Sequence, residues 1–209
     1  HDGSGFYQQF HQGGNDEFYG NQGFHRTYSG KGENLEAEIS LTFDEAAFGC
    51  DKVITLQETD GNRTLKVHIP AGIDTGQSVR LRGKGHPGIG GGEPGDLLLK
   101  AKVGTKPGYE RKGADVYTTV SIPYTTAALG GETRVSTLYG DVSCKIKEGT
   151  QSGSKIRLRG KGIVSMKNPN VHGDQYVTVT IETPRNLSRE QKDALKKFSE
   201  TLGESNYEK

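Results

Sequence analysis

Apolar and polar residues alternate along most of the chain after residue 34. Residues 35–43, read as LEAEISLTF, place an apolar side chain at every second position, which is typical of a strand with one buried face. Comparable short runs occupy residues 52–56, 64–70, 77–82 and 96–103. Between them lie Gly, Pro, Asn and Asp, which favour turns. The pattern predicts a mainly β fold built from short strands.

The strand pattern occurs twice. Residues 72–85 (GIDTGQSVRLRGKG) and 149–162 (GTQSGSKIRLRGKG) align without a gap at an offset of 77, which indicates an internal duplication. Around the second copy, residues 115–124 repeat the opening strand, and the later strands are expected at residues 134–138, 142–146 and 175–182. The chain therefore predicts two tandem homologous small β-sandwich domains, at residues 34–110 and 111–184.

The two units differ in the length of the hairpin before the repeated element. From Gly49 to Gly72 is 23 residues, whereas from Gly130 to Gly149 is 19. The first unit therefore has the longer hairpin, and a specialised site is expected there. In the same unit, Asp44 is expected to cap a single helical turn that Gly49 ends.

A helical pattern follows the second unit. Ser188 and Gln191 have the spacing of a capping box, and residues 192–202 are strong helix formers ahead of Gly203. This predicts a short C-terminal α-helix within residues 185–209. Its apolar stripe consists of Ala194, Leu195, Phe198 and Leu202. The stripe must pack either on the second sandwich or on the same helix of another chain, and the sequence leaves both open.

Residues 1–32 alternate Gly with Phe, Tyr, Gln and Asn and show no strand or helix period. This composition predicts a flexible Gly/Phe-rich linker over residues 1–33, either a plain tether or a segment whose aromatic side chains contact other chains. The chain begins at His1 rather than Met, as though it were part of something longer.

Charge and composition narrow the possible partners. The net charge is +1, which gives no sign of a polyanion-binding protein, and no apolar run reaches the roughly 18–20 residues that span a bilayer. A soluble, cytoplasmic protein without a membrane partner is expected. Cys50 and Cys144 fit two free thiols in a reducing compartment, or else one disulfide. Without a Cys-x-x-Cys pair they predict no zinc site.

Motifs for catalysis or cofactor binding are missing from the sequence. Residues 83–88 (GKGHPG) have the spacing of a dinucleotide-binding loop, but Pro87 and the glycines after it prevent the helix that such a loop must open. The six histidines are scattered, and no pattern of nucleophile, histidine and acid occurs. We therefore expect no enzyme activity, no metal and no cofactor. The doubled Arg-Leu-Arg-Gly-Lys, with Arg80 and Arg157, supports nucleic-acid binding as an alternative function.

Several short motifs, in this order, are similar to the substrate-binding C-terminal region of the DnaJ family of J-domain co-chaperones. They are residues 69–76 (IPAGIDTG), 79–85 (VRLRGKG), 95–97 (GDL), 127–132 (AALGGE), 149–153 (GTQSG) and 158–162 (LRGKG). The resemblance runs from about residue 35 to residue 202, and residues 1–32 look like the family's Gly/Phe-rich linker.

Two features of the family are not found. The His-Pro-Asp motif of the J domain is missing, since His86-Pro87-Gly88 is a loop. The four Cys-x-x-Cys-x-Gly-x-Gly repeats of the zinc-bearing members are missing as well. The chain thus resembles the zinc-free members, similar to the curved-DNA-binding type, or a chain from which the zinc finger has been deleted.

The resemblance implies a shallow apolar groove on the first sandwich, which takes client segments as an added strand at a sheet edge. Carried over by position, its residues are Ile39, Lys52, Ile54, Leu56 and Tyr109. The strand period independently places Lys52, Ile54 and Leu56 on one face. An ordinary hydrophobic core explains Ile39, Ile54 and Leu56 equally well. Lys52 would attract acidic groups, such as the acidic tail of a DnaK-type partner.

A function is implied by the same resemblance. The chain is expected to bind unfolded or partly folded polypeptides and to present them, as a homodimer, to a DnaK-type 70-kDa heat-shock chaperone. The family's dimer contact is the C-terminal helix, which assigns Leu195, Phe198 and Leu202 to dimerisation.

Overall fold

The first unit is a small sheet packed against a two-stranded arm. The computed structural model describes residues 29–58 and 61–202. The elements of this unit are β1 (Leu35–Leu41), α1 (Phe43–Phe48), β2 (Cys50–Glu58), β3 (Gly61–Ile69), β4 (Ser78–Leu81) and β5 (Leu97–Val103). Strand β1 pairs in parallel with β5, and β4 pairs antiparallel with β5, so that the sheet order is β1-β5-β4. Strands β2 and β3 form the separate arm.

The second unit repeats this arrangement and adds strands to it. Its elements are β6 (Glu110–Lys112), β7 (Asp115–Pro123), α2 (Tyr124–Leu129), β8 (Gly131–Thr137), β9 (Gly140–Ile146), β10 (Lys155–Leu158), β11 (Val164–Ser165), β12 (Asn168–His172) and β13 (Gln175–Glu182). The parallel pair is now β7 and β13, and the sheet order is β10-β13-β7-β6. Strands β8 and β9 form the arm, and β11 and β12 form a further hairpin.

The predicted mainly β fold is confirmed. The pairs Leu35 with Leu97 and Val116 with Gln175 occupy equivalent places in the two parallel strand pairs. The strands of the first arm have nine residues each and those of the second arm seven, as the difference in hairpin length predicts. The sequence pattern does not predict β6, β11 and β12, because they are short. In β12 every side chain is exposed, so no alternation marks the strand.

Helix α1 begins two residues earlier than predicted, with Thr42 as its cap in place of Asp44. The Thr42 hydroxyl accepts a hydrogen bond from Glu45 N at 3.2 Å, and the Glu45 carboxylate accepts one from Thr42 N at 2.8 Å. The prediction that Asp44 caps this helix is therefore wrong. Asp44 instead accepts a bond from Lys106 Nζ at 2.7 Å, which it can reach because it lies inside the first turn.

Helix α3 (Arg189–Thr201) begins as predicted. Ser188 and Gln191 form the expected capping box, with Ser188 Oγ accepting from Gln191 N at 3.2 Å. The helix ends at Thr201 with Leu202 as its cap, and Gly203 lies outside the described residues.

Each unit buries the inward side chains of its strands. In the first unit, Val67 of the arm and Leu97 and Leu99 of the sheet are fully buried in one cluster. In the second unit, Val177 and Val179 of β13 have the same role. Because burial of one such side chain contributes about 1.5–3 kcal/mol, this apolar layer holds each arm on its sheet.

The repeated Arg-Leu-Arg-Gly-Lys element is held by an aspartate in each unit. Arg80 Nε donates to Asp96 Oδ2 at 2.7 Å, and Gly83 N donates to Asp96 Oδ1 at 2.9 Å. The equivalent donors and acceptor in the second unit are Arg157 Nε and Gly160 N with Asp174, at 2.7 and 2.8 Å. The element therefore fixes the turn from strand to loop in both units.

The two units meet at α1. Phe43 and Ala47 of this helix pack on Val116 and Ile163 of the second unit, and all four side chains are buried. The first unit therefore reaches its neighbour through the same short helix that borders β2.

Candidate functional site

Strand β2 presents one partly apolar face. Lys52 and Ile54 are half-buried and Leu56 is buried, whereas the residues between them are exposed, Val53 at 67%. The structure thus places Lys52, Ile54 and Leu56 on one face, as the strand period predicts. This face and the adjoining part of β1 are called the groove below.

The apolar side chains of the groove lie at different depths. Ile39 and Leu56 expose only 5% and 8% of their surface and belong to the core of the first unit. Ile54 packs against the same core but remains accessible. Ile39 and Leu56 therefore form the floor, and Ile54 is the side chain of the three that a ligand can reach.

Lys52 connects three elements at one end of the groove. Its Nζ donates to Ser40 O of β1 at 2.7 Å and to Glu45 Oε2 of α1 at 3.0 Å. The pKa of Glu45 is lowered, first by the backbone hydrogen bond from Thr42 and then by the bond from Lys52. An acidic ligand group would have to compete with Glu45 for this ammonium.

Sequence reasoning did not assign Ser40 or Glu45 to the groove. The Thr-x-x-Glu spacing of residues 42–45 is the signal that places Glu45 at the helix start. No sequence signal connects Ser40 with Lys52, because their contact joins two strands that do not pair.

Strands β1 and β2 each have an unpaired edge. Within residues 29–58 and 61–202, β1 pairs with β5 and β2 with β3, and no other strand pairs with either. Leu35 N and Leu41 O make their bonds on the β5 side. The backbone groups that point to the outer edge of β1 are then those of Glu36, Glu38 and Ser40. Such an edge can accept an extended polypeptide through main-chain hydrogen bonds.

Tyr109 packs in a different cluster from the other predicted groove residues. Its ring centroid lies 6.2 Å from that of Phe43, and Lys106 Nζ lies 5.1 Å from the Tyr109 ring centroid. This cluster belongs to the junction between the units. Tyr109 is therefore related to the groove through α1, which carries both Phe43 and the Glu45 that binds Lys52.

The cysteines are free thiols. Cys50 is half-buried and Cys144 is buried, and burial raises the pKa of both. The alternative of a disulfide is excluded. In the part of the chain that the structure describes, no group of three or more His, Cys, Asp or Glu could hold a metal ion. None of the described helices is long and apolar enough to cross a membrane.

Two arginines of the repeated element are bound by the protein's own carboxylates. Arg80 pairs with Asp96, and Arg157 pairs with Asp174. The pKa of each aspartate is lowered, first by a backbone N–H and then by its arginine. The two aspartates therefore neutralise the arginine charges that binding to nucleic acid would require.

The apolar stripe of α3 is uncovered. None of the residues 189–201, all of them described, is buried, and Leu195 and Phe198 expose 44% and 43%. Leu202 is half-buried. A cleft of about 720 Å³ lies between α3 and α2. Its apolar lining includes Leu129, Leu187, Leu195 and Phe198.

The α2 side of this cleft corresponds to the α1 face that the first unit buries. Residues 43 and 47 correspond to residues 124 and 128 at an offset of 81. Phe43 is buried against the second unit, whereas its counterpart Tyr124 is 38% exposed. Leu129, next on α2, is 80% exposed. The α2 face that is exposed in the second unit is thus equivalent to the α1 face by which the first unit contacts the second.

Comparison with known proteins agrees with the sequence motifs. The family model of the DnaJ C-terminal domain matches residues 35–184. A chaperone protein DnaJ of Lachnospira eligens is 46% identical over 140 residues, which are 67% of this chain and 37% of that protein. The chaperone protein DnaJ of Burkholderia thailandensis is 49% identical over 142 residues, or 68% of this chain and 38% of the relative.

A third relative gives the same result. The chaperone protein DnaJ of an Exiguobacterium species is 47% identical over 146 residues, which are 70% of this chain and 39% of that protein. The matched part therefore spans less than two fifths of the length of each of these relatives.

Proposed function

Because the chain belongs to the DnaJ C-terminal domain family, we propose that it binds unfolded or partly folded polypeptides and presents them to a DnaK-type 70-kDa chaperone. Residues 34–110 bind the client, residues 111–184 form the second sandwich, and residues 185–209 form the dimer contact. The groove residues are Ile39, Lys52, Ile54, Leu56 and Tyr109. Ile39 and Leu56 support the groove from below, and Tyr109 contributes through α1.

The observation that carries the proposal is the pair of unpaired strand edges beside Ile54. An extended client segment can bond to the outer edge of β1 and place an apolar side chain on Ile54. Main-chain hydrogen bonds do not depend on the client's side chains, so this mode of binding suits many sequences.

The expected affinity of one groove is low. Burial of two client side chains contributes about 3–6 kcal/mol, and the loss of freedom on association cancels much of it. Two grooves in one dimer raise the apparent affinity by roughly 10²–10⁴ if a client reaches both. Weak and bivalent binding allows the client to be captured and released.

The groove assignment is tested by Ile54→Ser. This substitution should weaken binding of a fluorescent extended apolar peptide by about tenfold, because an Ile side chain contributes about 1.5–3 kcal/mol when it is covered. Binding is measured by fluorescence anisotropy, and a thermal melt shows that the fold is retained.

The matched control is Val53→Ser on the same strand. Val53 is 67% exposed and faces away from the groove, so its loss should leave peptide affinity unchanged. A loss of affinity in Val53→Ser, or an unchanged affinity in a folded Ile54→Ser, would contradict the groove assignment.

Lys52 supports the DnaK-type partner. Its ammonium binds the Glu45 carboxylate at 3.0 Å, and a carboxylate of an acidic tail would replace Glu45 there. The groove end at Lys52 is therefore the proposed contact with that tail.

The exposed stripe of α3 supports a homodimer. Leu195 and Phe198 line the cleft beside the exposed α2 face, and Leu202 follows them at the end of the helix. A second copy of α3 would fill the cleft and remove these apolar side chains from water, as the first unit's Phe43 is removed by its neighbour.

The dimer is tested by Leu195→Asp combined with Phe198→Asp. The solution mass should fall from that of two chains to that of one, because two carboxylates in the apolar cleft are unfavourable. Light scattering measures the mass. Lys196→Asp, an exposed change between the two positions, is the control and should leave the dimer intact.

A further inference from the structure

The two units begin their first sheet strand in the same way. Asp96 N donates to Asn34 Oδ1 at 2.9 Å, and Asp174 N donates to Asp115 Oδ1 at 2.7 Å. The residue before this side chain also makes an equivalent bond in each unit. Glu33 O accepts from His86 N at 3.0 Å, and Ala114 O accepts from Ile163 N at 2.7 Å. The units therefore correspond residue by residue back to position 33.

The second unit then covers the outer edge of its strand. A turn with Gly113 at φ 64° folds β6 back along β7. Glu110 lies opposite Tyr117, and Lys112 opposite Asp115. The start of β7 is consequently paired on both sides.

The first unit directs the equivalent segment elsewhere. Residues 30–33, the strap, lie on the Gly-rich loop (residues 83–95) instead of on β1. Gly32 N donates to this loop at 2.8 Å, and Gly30 exchanges two backbone hydrogen bonds of 3.0 Å with Ile89. Among the residues that the structure describes, none pairs with the outer edge of β1.

Close backbone contact makes the docked strap depend on particular glycines. A Cβ on Gly32 would lie 2.0 Å from His86 O, and a Cβ on Gly92 would lie 2.1 Å from Gly30 O. A Cβ on Gly30 would meet nothing within 4 Å. Side chains at Gly32 and Gly92 are therefore incompatible with docking, and one at Gly30 is compatible.

The strap keeps the sequence of the turn that it does not form. Residues 31–34 read Lys-Gly-Glu-Asn and residues 112–115 read Lys-Gly-Ala-Asp, so that Gly32 stands in the place of Gly113. Glycine supplies the positive φ of such a turn. The strap can thus fold back on β1 as β6 does on β7, with residue 29 opposite Glu36.

We propose that the strap is a switch for the groove, an inference that rests on the proposed function. When docked, it leaves the outer edge of β1 open at Glu36 and Glu38, while Lys52 occupies the carbonyl of Ser40. When released, it folds onto β1 and forms hydrogen bonds with the backbone groups of Glu36. The client is then left with Glu38, and binding weakens.

In both forms the backbone N–H and C=O groups of the strap make a few hydrogen bonds. Each such bond replaces one to water and contributes little net free energy, so the two forms can be close in free energy. A change at one residue, or a partner that binds one form, can then reverse the populations.

Two variants release the strap from opposite sides of the contact. Gly92→Ala changes only the loop, and Gly32→Asn changes only the strap. Asn is chosen because it tolerates the positive φ of the turn. Gly30→Ala is the matched control. Hydrogen exchange of the Ile89 amide reports docking, and anisotropy of a fluorescent extended apolar peptide reports the groove.

Both release variants should exchange the Ile89 amide faster and bind the peptide about tenfold more weakly, whereas Gly30→Ala should match the wild-type chain in both measurements. Faster exchange with unchanged or tighter binding overturns the switch. Unchanged exchange in both release variants overturns the docked strap. If the wild-type chain does not bind the peptide, the proposed function fails, and the switch fails with it.

Discussion

Asp96 and Asp174 explain why Gly-Asp follows each copy of the repeated element. Each carboxylate accepts hydrogen bonds from a backbone N–H and from an arginine, which favour the ionised form and lower the pKa of both below the ordinary 3.8. The Asp96 side chain is 4% exposed and that of Asp174 is 15% exposed. The Asp96 carboxylate is therefore the more deeply buried of the two, and its hydrogen bonds are less accessible to water.

Asp96→Asn should lower the melting temperature at neutral pH by several degrees, and by more than Asp174→Asn does. Because the folded pKa is depressed, the stabilisation is present above the unfolded pKa near 3.9 and is lost as the pH falls through the lower folded value. Below about pH 4 the wild-type melting temperature should therefore fall more steeply than that of Asp96→Asn. Calorimetry at a series of pH values measures both.

The control for this prediction is Asp193→Asn at an exposed position of α3, which should behave as the wild type. Equal acid slopes for the wild type and Asp96→Asn would show that the carboxylate does not stabilise the turn.

Helix α3 depends on its first turn because the rest of the described chain covers little of it. None of its 13 residues is buried. Ser188 Oγ accepts from Gln191 N at 3.2 Å, and Gln191 Oε1 accepts from Ser188 N at 2.8 Å. Helices of this length are marginal alone. The capping box therefore governs how much of α3 is formed before it meets a partner.

Ser188→Ala should destabilise α3 by about 1 kcal/mol, because the side-chain acceptor for Gln191 N is lost. The helical circular dichroism signal should decrease, and the proposed dimer should dissociate at about fivefold higher concentration. Ser199→Ala, in the last turn, should retain or increase the helical signal, since Ala is the better helix former. Equal signals from the two variants would contradict the role of the cap.

Arg111 joins the two units into one body. From β6 of the second unit, its Nη1 donates to Ile73 O at 2.7 Å and its Nη2 to Gly72 O at 2.8 Å. Its Nε donates to Gly113 O at 2.8 Å within its own unit. The side chain is only 11% exposed, and its two bonds to Gly72 and Ile73 are partly shielded from water.

Arg111→Ala should destabilise the protein by about 2–4 kcal/mol, because the buried carbonyls lose a charged donor. The two units should then unfold in separate calorimetric transitions, and the radius of gyration from X-ray scattering should increase. Lys112→Ala, next to it at an exposed ion pair with Glu110, is the control and should change neither measurement. A single unchanged transition in Arg111→Ala would show that the α1 contact suffices.

Local pattern was enough to predict much of the fold. Alternation at residues 35–43 and 52–56 predicted β1 and β2, and the doubled motif predicted two similar units. The cap of α1 was assigned to Asp44, because aspartate is a common helix cap. The structure has Thr42 as the cap, at the start of the Thr-x-x-Glu capping box. Strand β12 could not be predicted, because a strand with no buried face has no alternation to read.

The groove could be predicted only in part, because alternation marks a face and not its depth. The sequence alone placed Lys52, Ile54 and Leu56 on one face, because every second side chain of a strand lies on the same side of the sheet. The tertiary structure decided that Leu56 is core and Ile54 accessible, and that Lys52 is held by Ser40 and Glu45. It also decided the course of the strap. Residues 31–34 and 112–115 are nearly the same turn sequence, and only contacts with the loop at residues 83–95, distant in the chain, separate their conformations.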